Sequence, residues 1–398
     1  MTDSAQPLQD PPEPLRKTAL HERHRQLGAK MTAFHGWDMP LYYTTILEEH
    51  QAVRQALGLF DVSHMGQVLV TGPGAQQTLN HLMVSDLGQV GVGRACYTLM
   101  LSEAGGILDD LIVYRIGEEA HLVIVNCGNR ASDVDWLQAH RQGNATVTEI
   151  SQGRSILAVQ GPLACRVLEQ LLDAKVTGLG RFGVAPIRHM GTEACLARTG
   201  YTGSDGFELF LPDAHAKRVW DMILNAAGSL GARPIGLGAR DTLRVEAGLR
   251  LYGADLDTTT SPFEAGLDWT VALNKPDFIG RDALVRQKQQ GLTRRFVGFE
   301  LSRGPVPRAG TELTAGANGA GTGDRRVGTV TSGTFSPILN RPLGMGYVEP
   351  MLTKPGTTLR MTVRAQRYPA TVVRLPFWKG QTRQPALTST GTPSPEAG

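Results

Sequence analysis

Two stretches of this chain repeat one plan. Residues 67–86 read QVLVTGPGAQQTLNHLMVSD, and residues 156–175 read ILAVQGPLACRVLEQLLDAK. Each runs from an apolar strand through a Gly-Pro turn and a small residue into a leucine-bearing helix. Gly72 and Gly161 stand 89 residues apart. The spacing suggests two copies of an α+β unit; chance reuse of a common strand–turn–helix pattern is the competing reading.

The texture around these copies is that of short strands alternating with amphipathic helices. Leu47, His50, Val53 and Leu57 fall at helical spacing across 44–57. Val219, Trp220, Ile223 and Leu224 do so across 213–227, with Asp213 as a plausible cap. Strands are expected at 67–71, 107–114, 121–126, 155–160 and 206–211. After about residue 291 the pattern changes. RRFVGFEL, RRVGTVTSG, TTLRMTVRA and YPATVVRL are short strands between Gly and Pro turns, which predicts a small all-β barrel over 292–380. The α+β region then spans 15–291. Residues 1–14 and 381–398 are rich in Pro, Ser, Thr or Gly and poor in apolar groups, so disordered tails are expected there.

Composition narrows the functional class. A chain of 398 residues suggests two or three domains, and 41% hydrophobic residues can fill a large core. The 47 glycines follow no three-residue period, which excludes collagen and fits many tight turns. Cys96, Cys127, Cys165 and Cys195 form no C-x-x-C, so free thiols are expected rather than a zinc site or disulfide framework. The first fourteen residues lack the charge and apolar core of a secretory signal. No apolar run approaches the ~18 residues of a membrane span, so a soluble, cytoplasmic protein is expected. The net charge of +3 hides an asymmetry. Residues 293–383 hold fourteen Lys/Arg against four acids, a surplus of +10, which leaves −7 for the remainder.

Several chemistries lack their motifs. There is no P-loop, no complete dinucleotide fingerprint, no G-x-S-x-G and no H-E-x-x-H. The Gly-rich stretch 316–324 lacks the P-loop lysine and reads as a flexible hairpin. His21 and His24 sit three apart on a helix, but no carboxylate partner suggests a metal, and they read as a solvated helix face. Three segments remain. In Gly105-Gly106-Ile107-Leu108-Asp109-Asp110-Leu111-Ile112-Val113-Tyr114, a strand puts the two carboxylates on opposite faces. Both faces are apolar, so at least one carboxylate is trapped in a low-dielectric setting and needs a partner or a task; capping of the Gly-Gly turn is the alternative. In 199–208, small residues crowd Tyr201, and Glu208 follows on a strand between Phe207 and Leu209. A carboxylate beside aromatic groups suits a flat heterocycle with an N–H edge; a solvated Gly-rich hairpin is the alternative. In 238–248, a short helix is expected, capped by Asp241 and stopped by Gly248, with Arg240 just before it.

These segments and others fall in a familiar order. FHGWDMPLYY (34–43), GLFDVSHMG (58–66), SEAGGILDDLIVY (102–114), RTGYTGSDGFELF (198–210), GLGARDTLRVEAGLRLYGADL (236–256), SPFEAGLDWTV (261–271), FIGRDAL (278–284), GTVTSGTFSP (328–337) and MGYV (345–348) resemble the aminomethyltransferase (T-protein) family of the glycine cleavage system. The resemblance runs from about Leu15 to Trp378. It implies an α+β fold in which a folate-binding region of two ferredoxin-like halves is followed by a C-terminal β-barrel, arranged as a three-lobed ring.

The resemblance also implies a reaction. A lipoylated carrier, H-protein, presents an aminomethyl group on sulfur. Tetrahydrofolate, as co-substrate, takes the one-carbon unit, giving 5,10-methylenetetrahydrofolate, ammonia and the dihydrolipoyl carrier. The lipoyl group comes with the carrier, no metal is implied, and contacts with other glycine cleavage components are transient. Neither nucleic acid nor membrane is an expected partner. The family's key carboxylate matches Asp110, with Asp109 structural. Glu208 matches the pterin-edge carboxylate, and Tyr201 lines the ring. Arg240 lies at the folate and Asn126 in its pocket, while Tyr97 and Met65 match pocket walls. Lys379 stands where many members carry an arginine near the folate tail, and His35 where an alanine is usual. Two further readings stay open: another tetrahydrofolate-dependent demethylase of the superfamily, and a non-catalytic folate-binding iron–sulfur assembly factor. The latter's K-G-C-Y-x-G-Q-E stretch is not found here. A sarcosine-type oxidase would need a flavin domain with a Gly-rich fingerprint, also not found.

Overall fold

The computed structural model describes residues 14–172, 176–189, 192–316, 324–364 and 366–380. The expected tails, apart from Pro14, and most of the Gly-rich stretch 316–324 lie outside these residues. The chain opens with α1 (His21–Gln26), a hairpin of β1 (Lys30–Phe34) and β2 (Trp37–Tyr42), α2 (Ile46–Gln55) and β3 (Gly58–Asp61).

Two units with the same order of elements follow. The first is β4 (Gly66–Thr71), α3 (Ala75–Leu82), β5 (Arg94–Leu101), β6 (Ile107–Gly117), β7 (Ala120–Val125), α4 (Arg130–Ala139) and β8 (Thr146–Glu149). The second is β9 (Arg154–Gln160), α5 (Ala164–Leu172), β10 (Val184–His189), β11 (Thr192–Ala197), β12 (Gly206–Pro212), α6 (Asp213–Ala227) and β13 (Arg233–Ile235). Their sheets run β5-β6-β7-β4-β8 and β10-β11-β12-β9-β3-β13. The strand permutation is shared, and it is the ferredoxin-like order with one extra edge strand. The second sheet differs by accepting β3, antiparallel to β9 and parallel to β13.

The repeated glycines have one physical cause. Gly72 has φ +95° and Gly161 φ +131°, and a Cβ at either would sit 2.5 Å from Asn144 O or 2.6 Å from Ala56 O. Only glycine allows the strand to turn this tightly into its helix.

The sheets pack face to face. Phe60, Tyr114, Leu122, Ile156, Ala158 and Phe210 fill the layer between them. The outer face of the second sheet is covered by α5 and α6, with Trp220 and Ile223 against Leu157, Val159 and Phe207. The outer face of the first is covered by α3 and α4 through Leu79, Leu82 and Leu137. Strands buried on both faces read as continuous apolar runs, as β9 does.

Then come α7 (Leu237–Glu246), α8 (Arg281–Gln290) and β14 (Arg295–Glu300), β15 (Glu312–Gly316), β16 (Asp324–Ser336), β17 (Arg341–Val348), β18 (Thr358–Val363) and β19 (Gln366–Val373). The last six close into a barrel, β14-β17-β16-β15-β18-β19. It seats on α7 through Val245, Phe296, Leu343, Met345 and Tyr347. Two buried carboxylates fasten the seat. Asp255 accepts from Arg244 Nη1 at 2.5 Å and from Ser332 Oγ at 2.8 Å. Glu246 accepts from Arg54 Nε at 2.8 Å and from the Ser336 hydroxyl.

Three local expectations are corrected. His21 and His24 are buried, not solvated. His24 Nε2 meets Asp61 Oδ2 at 2.8 Å, and His21 Nε2 meets Asp38 Oδ2 at 2.8 Å. Their carboxylate partners come from β3 and β2. Asp213 is the first residue of α6, after the N-cap Pro212, and accepts from Ser155 Oγ at 2.6 Å. The α7 helix starts at Leu237, so Arg240 lies within it and Asp241 pairs with Arg244 at 2.8 Å instead of capping. That start is fixed from outside, by Glu49 Oε2 accepting from Gly236 N at 2.8 Å. Among the described residues no helix is long and apolar enough to cross a membrane.

Candidate active site

Alternation along two strands decides where the carboxylates point. On β6, Leu111 and Val113 join the core beneath α3 and α4, and Asp109 shares their face. Ile112 and Tyr114 enter the layer between the sheets, and Asp110 shares theirs. On β12, Phe207, Leu209 and Leu211 face α5 and α6, while Phe210 enters the inter-sheet layer with Glu208 on its face. Asp110 and Glu208 therefore project from facing sheets into one space.

Asp109 is fully buried and wholly engaged. It accepts from Asn126 N at 2.9 Å, Asn126 Nδ2 at 2.8 Å and Asn129 Nδ2 at 2.8 Å. It does not cap the Gly-Gly turn. Asp110 is half-buried. Tyr97 OH donates to its Oδ2 at 2.9 Å and Asn126 Nδ2 to its Oδ1 at 3.0 Å. Burial, then the neighbouring charge of Asp109, pushes its carboxyl up to about 7, against the pull of those two donors. Beyond Tyr97 lies Trp269, stacked on it with ring centroids 5.8 Å apart and 70% exposed.

At the other end, Glu208 Oε2 accepts from Tyr114 OH at 3.0 Å and Thr199 Oγ1 at 2.5 Å. Its Oε1 accepts no hydrogen bond from the described residues. Tyr114 thus ties the Asp110 strand to Glu208. The Arg240 guanidinium lies 4.7 Å from the Tyr201 ring centre, and the Tyr201 hydroxyl donates to Arg250 O. The charges of Asp110 and Arg240 both act on Tyr201, which burial first of all holds in its neutral form. Tyr201 thus lies within reach of the charges of both Asp110 and Arg240, and Arg240 within reach of that of Glu208.

The neighbouring groups are held uncharged. Burial, then Arg240, pushes His64 down to about 3, and burial pushes the Cys127 thiol up to about 11. Neither serves as a cation or a thiolate near neutrality. Among the described residues no cluster of three or more His, Cys, Asp or Glu could hold a metal ion.

Of the residues read from the sequence, Asp110, Tyr97 and Asn126 are directly bonded, and Tyr201, Arg240 and Glu208 surround the same space. Met65 is half-buried against the inter-sheet layer. Lys379 is exposed. Its neighbour Trp378 lies under the Arg54 guanidinium at 3.8 Å, and Gly380 lies against the Gly203 carbonyl. No contact joins Lys379 to the other site residues. Tyr114, Thr199, Arg250, Trp269 and Asn129 also contact these residues, and the sequence reading assigns none of them a role. Tyr114 had a signal, since it shares the strand face of Asp110. Arg250 and Trp269 come from an irregular segment whose path no local pattern sets.

Two family models match the chain: the GCVT N-terminal domain over residues 20–275 and the glycine cleavage T-protein C-terminal barrel domain over 294–379. An aminomethyltransferase of Halothermothrix orenii is 42% identical over 363 residues, covering 91% of this chain and all of that one. One of Streptomyces coelicolor is 45% identical over 373 residues, covering 92% and 98%. The crystal structure of glycine cleavage system aminomethyltransferase T from Bartonella henselae is similar with a TM-score of 0.84 and 35% identity, covering 92% of this chain and 98% of that one.

Proposed function

The chain belongs to the glycine cleavage T-protein family of aminomethyltransferases, and on that premise we propose how its residues divide the work. The substrate is the aminomethyl group on the dihydrolipoyl arm of H-protein. The acceptor is tetrahydrofolate, whose two nitrogens supply the nucleophiles. The carbon leaves sulfur and nitrogen for the two folate nitrogens. The two folate N–H protons end on the released ammonia and the freed thiol, so the products are 5,10-methylenetetrahydrofolate, ammonia and the dihydrolipoyl carrier.

The space between Asp110 and Glu208 fits such a ligand at both ends. Glu208 Oε1 is an acceptor with no protein donor, which suits an N–H on a pterin edge, and Tyr201 offers a ring face beside Arg240. Asp110 stands where positive charge must be held. With a carboxyl pushed up to about 7, it can hold the aminomethyl cation as carboxylate and can also take up and return a proton at Oδ2 near neutral pH. Tyr97 and Asn126 fix its two oxygens, so charge and lone pairs are aimed before the substrate arrives. Met65 forms part of the wall, and the exposed Lys379 offers a point charge to the anionic folate tail.

The observation that carries this reading is the placement of Asp110 and Glu208 on facing strands with Tyr114 between them. The test is ammonia and methylenetetrahydrofolate formation from aminomethyl-loaded carrier. Asp110→Asn should fold, bind folate and lose about 10²–10³ of the rate. Asp109→Asn should keep more of the rate than Asp110→Asn; a dead Asp109→Asn beside an active Asp110→Asn would overturn the assignment.

A further inference from the structure

Asp133, on α4, lies behind the Asp109–Asp110 pair and is 2% exposed. Its Oδ2 has no hydrogen-bond partner, and its carboxyl is within hydrogen-bonding reach of the Asp109 carboxyl. Two buried carboxyl groups meet in this way only when one of them carries a proton. The surrounding donors decide which. Three N–H groups point at Asp109, from Asn126 N, Asn126 Nδ2 and Asn129 Nδ2. Among the described residues none points at the Asp133 side chain. Asp109 is therefore the carboxylate and Asp133 the acid. The orphaned Oδ2 then bears no charge, which makes its burial far less costly.

We propose that Asp133 is a positioning residue for the reaction: a neutral carboxylic acid that donates its proton-bearing oxygen to Asp109, keeping Asp109 ionised so that it anchors Asn126 against Asp110. The inference rests on Asp110 being the carboxylate that meets the aminomethyl group. The relay is short. Asp109 accepts two donors from Asn126, and the same Asn126 Nδ2 reaches Asp110 Oδ1 at 3.0 Å. Burial, then the charge of Asp109, pushes Asp133 up to about 10, which agrees with the proton count.

Other groups also face this cluster. Tyr97 on β5 and Asn126 after β7 bond Asp110, and Tyr201 lies within reach of its charge. Arg250 and Tyr252 approach from the segment after α7, Tyr252 feeling Asp109, Asp133 and Asp110. Arg250 is the cation among them, and its own donors go to backbone carbonyls of Gly248, Ala265 and Gly266.

Asp133→Leu removes the donor without adding a polar group. Asp109 then holds its charge less well, its repulsion of Asp110 weakens and Asn126 loosens. The rate should fall by up to about 100-fold, the acid limb of the pH–rate profile should move to lower pH, and the KM for tetrahydrofolate should change little. Asp133→Asn offers an N–H in place of the O–H and should restore most of the rate and the position of the limb. Infrared difference spectra should show a protonated carboxyl band in the unmutated protein at mildly alkaline pH, absent from Asp133→Asn. The proposal fails if Asp133→Leu keeps the original rate and profile, if Asp133→Asn is as impaired as Asp133→Leu, or if the band is missing or survives in Asp133→Asn. Should Asp133→Leu not fold, the infrared comparison decides alone. An active Asp110→Asn would instead refute the role of Asp110 while leaving the band and its dependence on Asp133 intact.

Discussion

At the scale of single residues, some acceptor atoms are paired with protein donors and others are left open. Glu208 shows it: one oxygen is taken by two hydroxyls and the other faces the space between the sheets. Glu208→Gln can turn its oxygen toward Tyr114 and Thr199 only by presenting its amide N–H₂ to the ligand. A hydrogen bond to a charged group contributes ~1.5–3 kcal/mol, so folate affinity should fall roughly ten- to a hundred-fold. Calorimetry with tetrahydrofolate reads this directly; unchanged affinity would remove Glu208 from the site. Asp110 gives a pH signature. Its carboxyl is raised in the fold from an ordinary 3.8 to about 7. Its contribution to stability is thus full below the ordinary value and is lost as pH rises through about 7. Asp110→Asn cannot ionise, and its amide can accept from Asn126 and donate to the Tyr97 oxygen. Its melting temperature relative to the unmutated protein should therefore climb by a few degrees as pH goes from acid to above 7. A difference that shrinks with rising pH would contradict the raised carboxyl. This pair also marks the limit of reading a strand from sequence. Alternation separates Asp109 from Asp110, but with apolar residues on both faces nothing local says which face meets the second sheet. Packing of Tyr114 and Ile112 against Phe210 supplies that, and those contacts join strands about a hundred positions apart.

At the scale of elements, the readable features were those held by nearby residues. The α6 helix runs over 213–227, as its apolar spacing implies, and the Gly-Pro turns mark both copies of the unit. The failures share a cause. The α1 helix has six residues and polar groups all round, so it reads as solvated; Asp38 and Asp61 bury its histidines from outside. The start of α7 is set by Glu49, nearly two hundred residues away in sequence. Asp255 belongs to the same class, a buried carboxylate outside any regular element that couples α7 to β16. Asp255→Ala would leave Arg244, 3% exposed, without its interior counter-ion. Breaking one side of a buried pair costs ~3–5 kcal/mol. Denaturant unfolding should show a loss of that order, and limited proteolysis should cut more readily between α7 and the barrel. A melting curve that is unmoved would mean the apolar contacts of Val245 with Phe296, Leu343 and Met345 hold the seat unaided.

At the scale of the whole molecule, charge is divided between the two parts of the chain. Residues 293–383 carry +10 and the remainder −7. Three of the barrel's four acids are matched locally, Glu300 with Arg341 at 2.9 Å, Glu312 with Arg326 at 3.4 Å and Glu349 with Arg325. Those pairs are neutral and leave the surplus untouched, while Arg294 with Glu264 at 3.1 Å and Arg295 with Asp268 at 2.9 Å take up two of its charges across the boundary with the N-terminal part. Such a field acts on a partner before contact and is screened beyond ~8 Å at physiological salt. A carrier with an acidic surface would be drawn to the barrel side of the molecule. The apparent KM for the carrier should then rise steeply from low to high salt. That for tetrahydrofolate should rise less, since Glu208, Tyr201 and Arg240, the residues proposed to meet it, are half-buried. Arg364 and Arg367 stand exposed at the hairpin between β18 and β19, away from Asp110 and Glu208 in sequence and on the barrel. Reversing both to Glu should raise the carrier KM at low salt, spare the folate KM and flatten the salt dependence. A carrier KM that ignores both salt and the reversals would place docking on the acidic N-terminal part, with hydrogen bonds and shape, rather than long-range charge, governing the encounter.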